Sequence, residues 1–178
     1  MKIIIYSQDK SGNQCEYREY VFPDGNPEEW RGITIFGDLL SDGTLDPAAL
    51  DLLGKARQIA DETDDKAQLL LIGDELVETA RSYFTNGADR MFVYDDPALK
   101  DSGEDSLFDC LMHFINNYKP AALYFIQTSC SEKLFFRIIN HLKTVMPFAG
   151  ERNYTGQSPT SFAPDVTRRG EIVICEIP

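Results

Sequence analysis

The side chains whose types and spacing best suit chemistry are the hydroxyls of Thr128, Ser129 and Ser131, set between an apolar run and a helical stripe. At the start of a helix, such hydroxyls and the unpaired backbone N–H groups beside them can hold a phosphate or another anion. Nucleotide or anion contacts are therefore assigned to these three residues. The same residues also satisfy a helix start without any ligand, which is their commoner use, and Ser131 is the expected N-cap. His113 and His141 each fall within a predicted helix, with no acidic or cysteine partner at metal-ligand spacing. The acidic clusters 61–65 and Asp95-Asp96 read as a solvated helix end and as a turn or helix start, because crowded carboxylates repel unless exposed. No metal site is assigned.

Phosphate loops are missing as well. No Gly-x-Gly-x-x-Gly or Gly-x-x-x-x-Gly-Lys follows an apolar run, and no Gly-x-Ser-x-Gly marks a nucleophile elbow. No catalytic residue is assigned, and an enzyme is not expected. The four cysteines, Cys15, Cys110, Cys130 and Cys175, form no Cys-x-x-Cys pair and read as reduced thiols. With 29 Asp and Glu against 17 Lys and Arg, the net charge of −12 repels nucleic acid and anionic membranes. The apolar stretch at 3–6 is too short for a secretory signal, and nothing approaches a membrane span, so a cytoplasmic protein is expected.

Short apolar runs at 33–36, 69–72, 91–94 and 121–126 lack polar alternation, as strands covered on both faces do. Helical stripes alternate with them. Ala49, Leu52, Leu53, Ala56, Ile59 and Ala60 share one face behind Pro47. A second helix opens at Asp74 and stops at Gly87. Phe108, Leu111, Met112, Ile115 and Tyr118 form the third stripe, and Leu134, Phe135, Ile138, Ile139 and Leu142 the fourth. This order predicts an α/β fold: a doubly wound, mainly parallel sheet with helices on both faces. If the 33–36 strand is central, the loops that meet at the ligand-binding end are 37–46 and 127–131. Residues 1–30, with β-prone runs at 3–6 and 17–22, Ser11-Gly12-Asn13 between them and the breakers Pro23, Gly25 and Pro27, read as an N-terminal β appendage, a hairpin or an edge. Residues 31–178 form the α/β domain. After Lys143 the pattern dissolves around Pro147, Gly150, Gly156, Pro159 and Pro164, until a last strand over 171–177 either joins the sheet or pairs with the appendage.

Several strings carry a resemblance. GDLLSDGTLDP at 37–47, leading without a gap into LDLLGKARQIADE at 50–62, resembles the opening of electron transfer flavoprotein alpha subunits. GADRMFVYDDPAL at 87–99 resembles a further segment of that family, as does Lys119-Pro120. Together the segments run in the family's order from about Trp30 to Thr144. In QTSCSEKLFFR at 127–137, Thr128, Leu134 and Arg137 match, whereas Ser131-Glu132-Lys133 replaces the family's Gly-Arg-Asp turn.

The resemblance implies a Rossmann-like, adenine-nucleotide-alpha-hydrolase-like domain at the N-terminus of an alpha subunit. It implies a structural and partner-docking role in an electron-transfer complex, beside a beta-like subunit and a flavin-carrying domain or dehydrogenase, in an oligomer. FAD, and AMP in the complete complex, are then held outside this chain, whose sequence ends before the family's flavin-binding segment. Residues 170–175 resemble the strand that precedes that segment. The other reading is a small adenine-nucleotide-binding or regulatory α/β domain, with its ligand at the Gly37 and Thr128 loops.

Overall fold

A computed structural model describes residues 1–8, 14–23, 28–101, 103–157 and 170–178. The turn at 11–13 and the breakers Gly25, Pro27, Pro159 and Pro164 lie outside the described residues. In chain order the elements are β1 (Lys2–Gln8), β2 (Gln14–Val21), β3 (Ile33–Phe36), α1 (Pro47–Thr63), β4 (Ala67–Gly73), α2 (Val77–Ser82) and β5 (Arg90–Asp95). They continue with α3 (Glu104–Tyr118), β6 (Ala122–Ile126), α4 (Ser129–Val145), β7 (Gly150–Gln157) and β8 (Glu171–Ile174).

All these strands form one sheet in the order β7-β2-β1-β6-β3-β4-β5-β8. From β1 to β8 the neighbours run parallel, while β1–β2 and β2–β7 are antiparallel. Each crossover helix covers a face, giving the doubly wound α/β architecture. The reason lies in the apolar runs: every residue of β3 and β4 is buried, so both faces need a cover. One face packs Leu52, Leu53, Ala56 and Ala60 of α1 and Ala80 of α2 over Leu69, Leu71 and Val93. The other packs α3 and α4 over the sheet's Phe92 and Phe125, which meet Phe114 of α3 and Phe135 of α4 edge-on at centroid separations of 4.9 and 5.5 Å.

The hairpin expected in residues 1–30 forms as β1 and β2 and widens the sheet beyond β6. Lys2 to Tyr6 run in parallel register with Ala122 to Ile126. The expected last strand joins the sheet beside β5, with Met91 opposite Ile172, and is shorter than 171–177.

Three local features differ from the sequence reading. The second helix opens at Val77, not Asp74: Glu75 adopts a left-handed φ of 55°, and Asp74 reaches Lys100 at 3.5 Å. Asp95 caps the start instead, its Oδ2 accepting from the N–H groups of Leu76 and Val77 at 3.0 and 3.1 Å. The helix tightens into a 3-10 turn before Gly87 ends it at φ 98°. Thr128, not Ser131, is the N-cap of α4. β7 was not foreseen, because Glu151 to Thr155 are exposed and present no apolar face to read.

Candidate functional site

Strand order reverses between β3 and β6, since β4 and β5 follow β3 on one side and β6 lies on the other. A crevice at the carboxyl ends of these strands is where doubly wound sheets bind ligands. The loops after β3 and β6 meet there through one bond: Thr128 Oγ1 donates to Asp38 Oδ2 at 2.6 Å.

Thr128 and Ser131 are both committed to the start of α4. Thr128 Oγ1 accepts from the Ser131 N–H at 3.1 Å, and Ser131 Oγ accepts from the Thr128 N–H at 2.9 Å, a reciprocal capping box. Ser131 Oγ also donates to the Ile126 carbonyl, and its side chain is buried. Ser129 sits exposed on the first turn. So of the three hydroxyl residues, the structure joins Thr128 and Ser131 to each other, ties Thr128 alone to Asp38, and leaves Ser129 facing solvent.

Burial raises the Asp38 carboxyl above the ordinary aspartate range, Asp46 adds to the rise, and the bonds from Thr128 and the Leu39 backbone oppose it. Beside it opens a cleft of about 650 Å³ lined by Asp38, Asp42, Asp74, Glu75, Lys100 and Cys130, among others. Asp42 is engaged in a turn, accepting from the Thr44 N–H at 2.9 Å and hydroxyl at 2.6 Å, and Asp74 pairs with Lys100 at 3.5 Å. Gly37 is needed at the rim, because a Cβ there would stand 2.5 Å from Leu71 Cδ2. Burial and the neighbouring Asp38 push the Cys130 thiol up, which holds it protonated and weakly nucleophilic at neutral pH.

The remaining candidates make local contacts. Asp96 caps a single 3-10 turn through the Ala98 N–H. His113 Nδ1 meets the buried Tyr94 hydroxyl at 2.7 Å, and His141 packs edge-on to Phe108. Among the described residues, no three His, Cys, Asp or Glu side chains converge as metal ligands. The acidic run 61–65 ends α1, with Asp64 left-handed at φ 52° and Asp65 accepting from the Gly32 N–H at 2.9 Å.

Sequence reasoning assigned no role to Asp38, Arg57 or Asp89. Arg57, 3% exposed, donates from Nη1 to Asp89 and from Nη2 to Asp61 at 2.7 Å, while Asp89 Oδ2 also accepts from the Ala67 N–H at 2.9 Å. One ion pair thus ties α1, the start of β4 and the turn before β5 at the amino ends of the strands. Burial opposes the Arg57 charge, and its two carboxylate partners more than restore it, so its pKa is raised. The four-residue spacing of Arg57 and Asp61 was readable as a helix pair; the partnership with Asp89 spans β4 and α2 and left no local signal.

Residues 36–144 match the family model described as the electron transfer flavoprotein domain. The chain is 31% identical over 115 residues to the lactate dehydrogenase (NAD(+),ferredoxin) subunit LctC of Acetobacterium woodii, covering 65% of this chain and 27% of that protein. It is 30% identical over 116 residues to the electron transfer flavoprotein subunit alpha of Megasphaera elsdenii, covering 65% of this chain and 34% of that one. The acryloyl-CoA reductase electron transfer subunit beta of Anaerotignum propionicum is 28% identical over 123 residues, or 69% of this chain and 33% of its own length. The chain therefore spans about a third of the length of these relatives. Its GDLLSDGTLDP and GADRMFVYDDPAL strings, which carry Asp38 at the crevice and Asp89 at the buried ion pair, lie inside the matched segment, and the chain belongs to the electron transfer flavoprotein family as an alpha-subunit-like N-terminal domain.

Proposed function

We propose that this chain is the structural and partner-docking module of an electron-transfer flavoprotein complex, with FAD held by a domain or subunit other than the residues described. The observation that carries the reading is the state of the crevice between β3 and β6. A phosphate seated at the α4 N-terminus would meet the Asp38 carboxylate, and the half-buried Thr128 and buried Ser131 hydroxyls there already serve the cap. These residues do not fit the pyrophosphate of a flavin or dinucleotide, which needs open backbone N–H groups and a compensating positive field. Thr128, Ser129 and Ser131 then act through capping and loop tying, and no side chain is catalytic.

In this reading electrons move through a flavin that the chain helps to position. Its partners are a beta-like subunit and a flavin-carrying domain or dehydrogenase, AMP belongs to the assembled complex, and the site of action is the cytoplasm. No described helix is long and apolar enough to cross a membrane.

Two measurements test this. Co-expression with a beta-like subunit of an electron transfer flavoprotein should give a complex that survives size-exclusion chromatography; migration of the two as separate species would count against docking. Titration of the chain alone with AMP, ATP and FAD should leave its melting temperature unmoved. A bound nucleotide at about 100 times its Kd would add about 2.7 kcal/mol, a shift easily seen. A nucleotide-dependent rise would favour a nucleotide-binding α/β domain instead.

A further inference from the structure

One side of the sheet, β1, β2 and β7, lies outside the segment that matches the family, as does β8 at the opposite edge. The two faces of that side are finished differently. On one, α4 packs against β1, with Phe135 against Tyr20. On the other, α1 covers β3, β4 and β6 and reaches β2 through Lys55, whose Nζ lies 4.4 Å from the Tyr17 ring centre.

The register shows what that second face presents. One row across the strands reads Tyr154, Tyr17, Tyr6, and the next reads Arg152, Glu19, Ile4, Tyr124. Ile4 and Tyr6 are buried, whereas Tyr154 is 45% exposed and the Arg152 side chain 65% exposed. Lys55, from the border of α1, donates to the Tyr17 hydroxyl at 2.8 Å. Lys2 and Arg152 flank Glu19 at 3.3 and 4.0 Å, and the Glu19 side chain is only 10% exposed. Three cations, Lys2, Lys55 and Arg152, thus stand against one sunken carboxylate, in a chain whose net charge is −12.

We infer that this tyrosine-lined, locally basic face over β1, β2 and β7 docks an acidic protein surface. Tyrosine and arginine are the side chains that most often anchor protein interfaces, because they bury a large rigid area and keep a polar end. Charge selects the occupant. A second copy bound through the same face would set cations against cations, whereas an acidic protein surface meets them with the opposite charge. The inference does not depend on where the flavin is held, since β1, β2 and β7, which carry most of the face, lie outside the family segment.

The test uses the full chain, labelled with ¹⁵N, and two amphipathic helical peptides of about five turns that share one Leu/Tyr stripe. Their polar faces are Glu in one and Lys in the other. The Glu peptide should shift the amides of Tyr17, Arg152 and Tyr154, and its affinity should fall about tenfold in Arg152→Glu and again on adding salt. Tyr154→Ala, at a half-exposed position where folding is safe, should weaken it as well. The inference is overturned by equal binding of the Lys peptide, by shifts confined to other surfaces, or by no shift at about 1 mM peptide. It is equally overturned if single-stranded DNA binds this face, or if sedimentation and cross-linking through Tyr154 show a second copy there.

Discussion

Thr128 holds two bonds at once, one to its own helix and one across the crevice to Asp38, so its replacement should cost more than a simple cap. Thr128→Ala is expected to destabilise the chain by about 1 kcal/mol for the cap alone. A double-mutant cycle with Asp38→Ala should show a further coupling of about 0.5 kcal/mol or more; additive losses in urea denaturation would mean that the bridge contributes nothing. Asp38→Asn keeps an acceptor for Thr128 and removes the charge. Because burial raises the Asp38 pKa above its ordinary 3.8, the folded chain binds this proton more tightly than the unfolded chain. Asp38 therefore supports folding at low pH and loses that support as pH rises through the raised value. The stability advantage of Asp38→Asn should grow from about pH 4 upward and then level off, and a constant difference across that range would refute the assignment. At the opposite end of the strands, Asp89→Ala leaves the buried Arg57 without its main partner. A loss of about 3 kcal/mol is expected, as for other buried pairs broken on one side. A loss near zero would show that Asp61 suffices.

Among the elements, β8 is the easiest to dislodge. It is held by β5 alone among the strands, and a Cβ on Gly170 would lie 1.8 Å from the Phe84 ring. Gly170→Ala should release it, and amide exchange at Cys175, whose N–H donates to the Val93 carbonyl at 2.9 Å, should then accelerate by at least about tenfold. The interior elements were legible in the sequence for a physical reason: β3 to β6 are buried on both faces and write themselves as unbroken apolar runs, and the stripes of α1, α3 and α4 keep the helical period. The edges were not. β7 reads GERNYTGQ, a strand held by backbone pairing to β2 with little burial to mark it. Likewise, the true N-cap of α4 was hidden by an equally good candidate three residues on. The crevice was legible as a place, through the loops 37–46 and 127–131, but not as a bond, because pairing across 90 residues leaves no trace in local spacing.

At the scale of the molecule, one sheet separates two cores, and a net charge of −12 surrounds both. That charge repels itself, so raising NaCl from about 10 mM to about 0.3 M should raise Tm by on the order of a few °C. A fall in Tm would mean that specific ion pairs such as Lys119–Glu29 and Arg90–Glu171 outweigh the general repulsion. The strand order also bears on how the chain is made. Ile3, Ile4 and Ile5 leave the ribosome well ahead of the strand that shields one edge of β1, which begins at Ala122. At ordinary elongation speeds that partner arrives on the order of ten seconds later. During that interval a greasy hairpin waits with an open edge, and its safe-keeping falls to early chaperone capture or to the acidic stretches translated behind it.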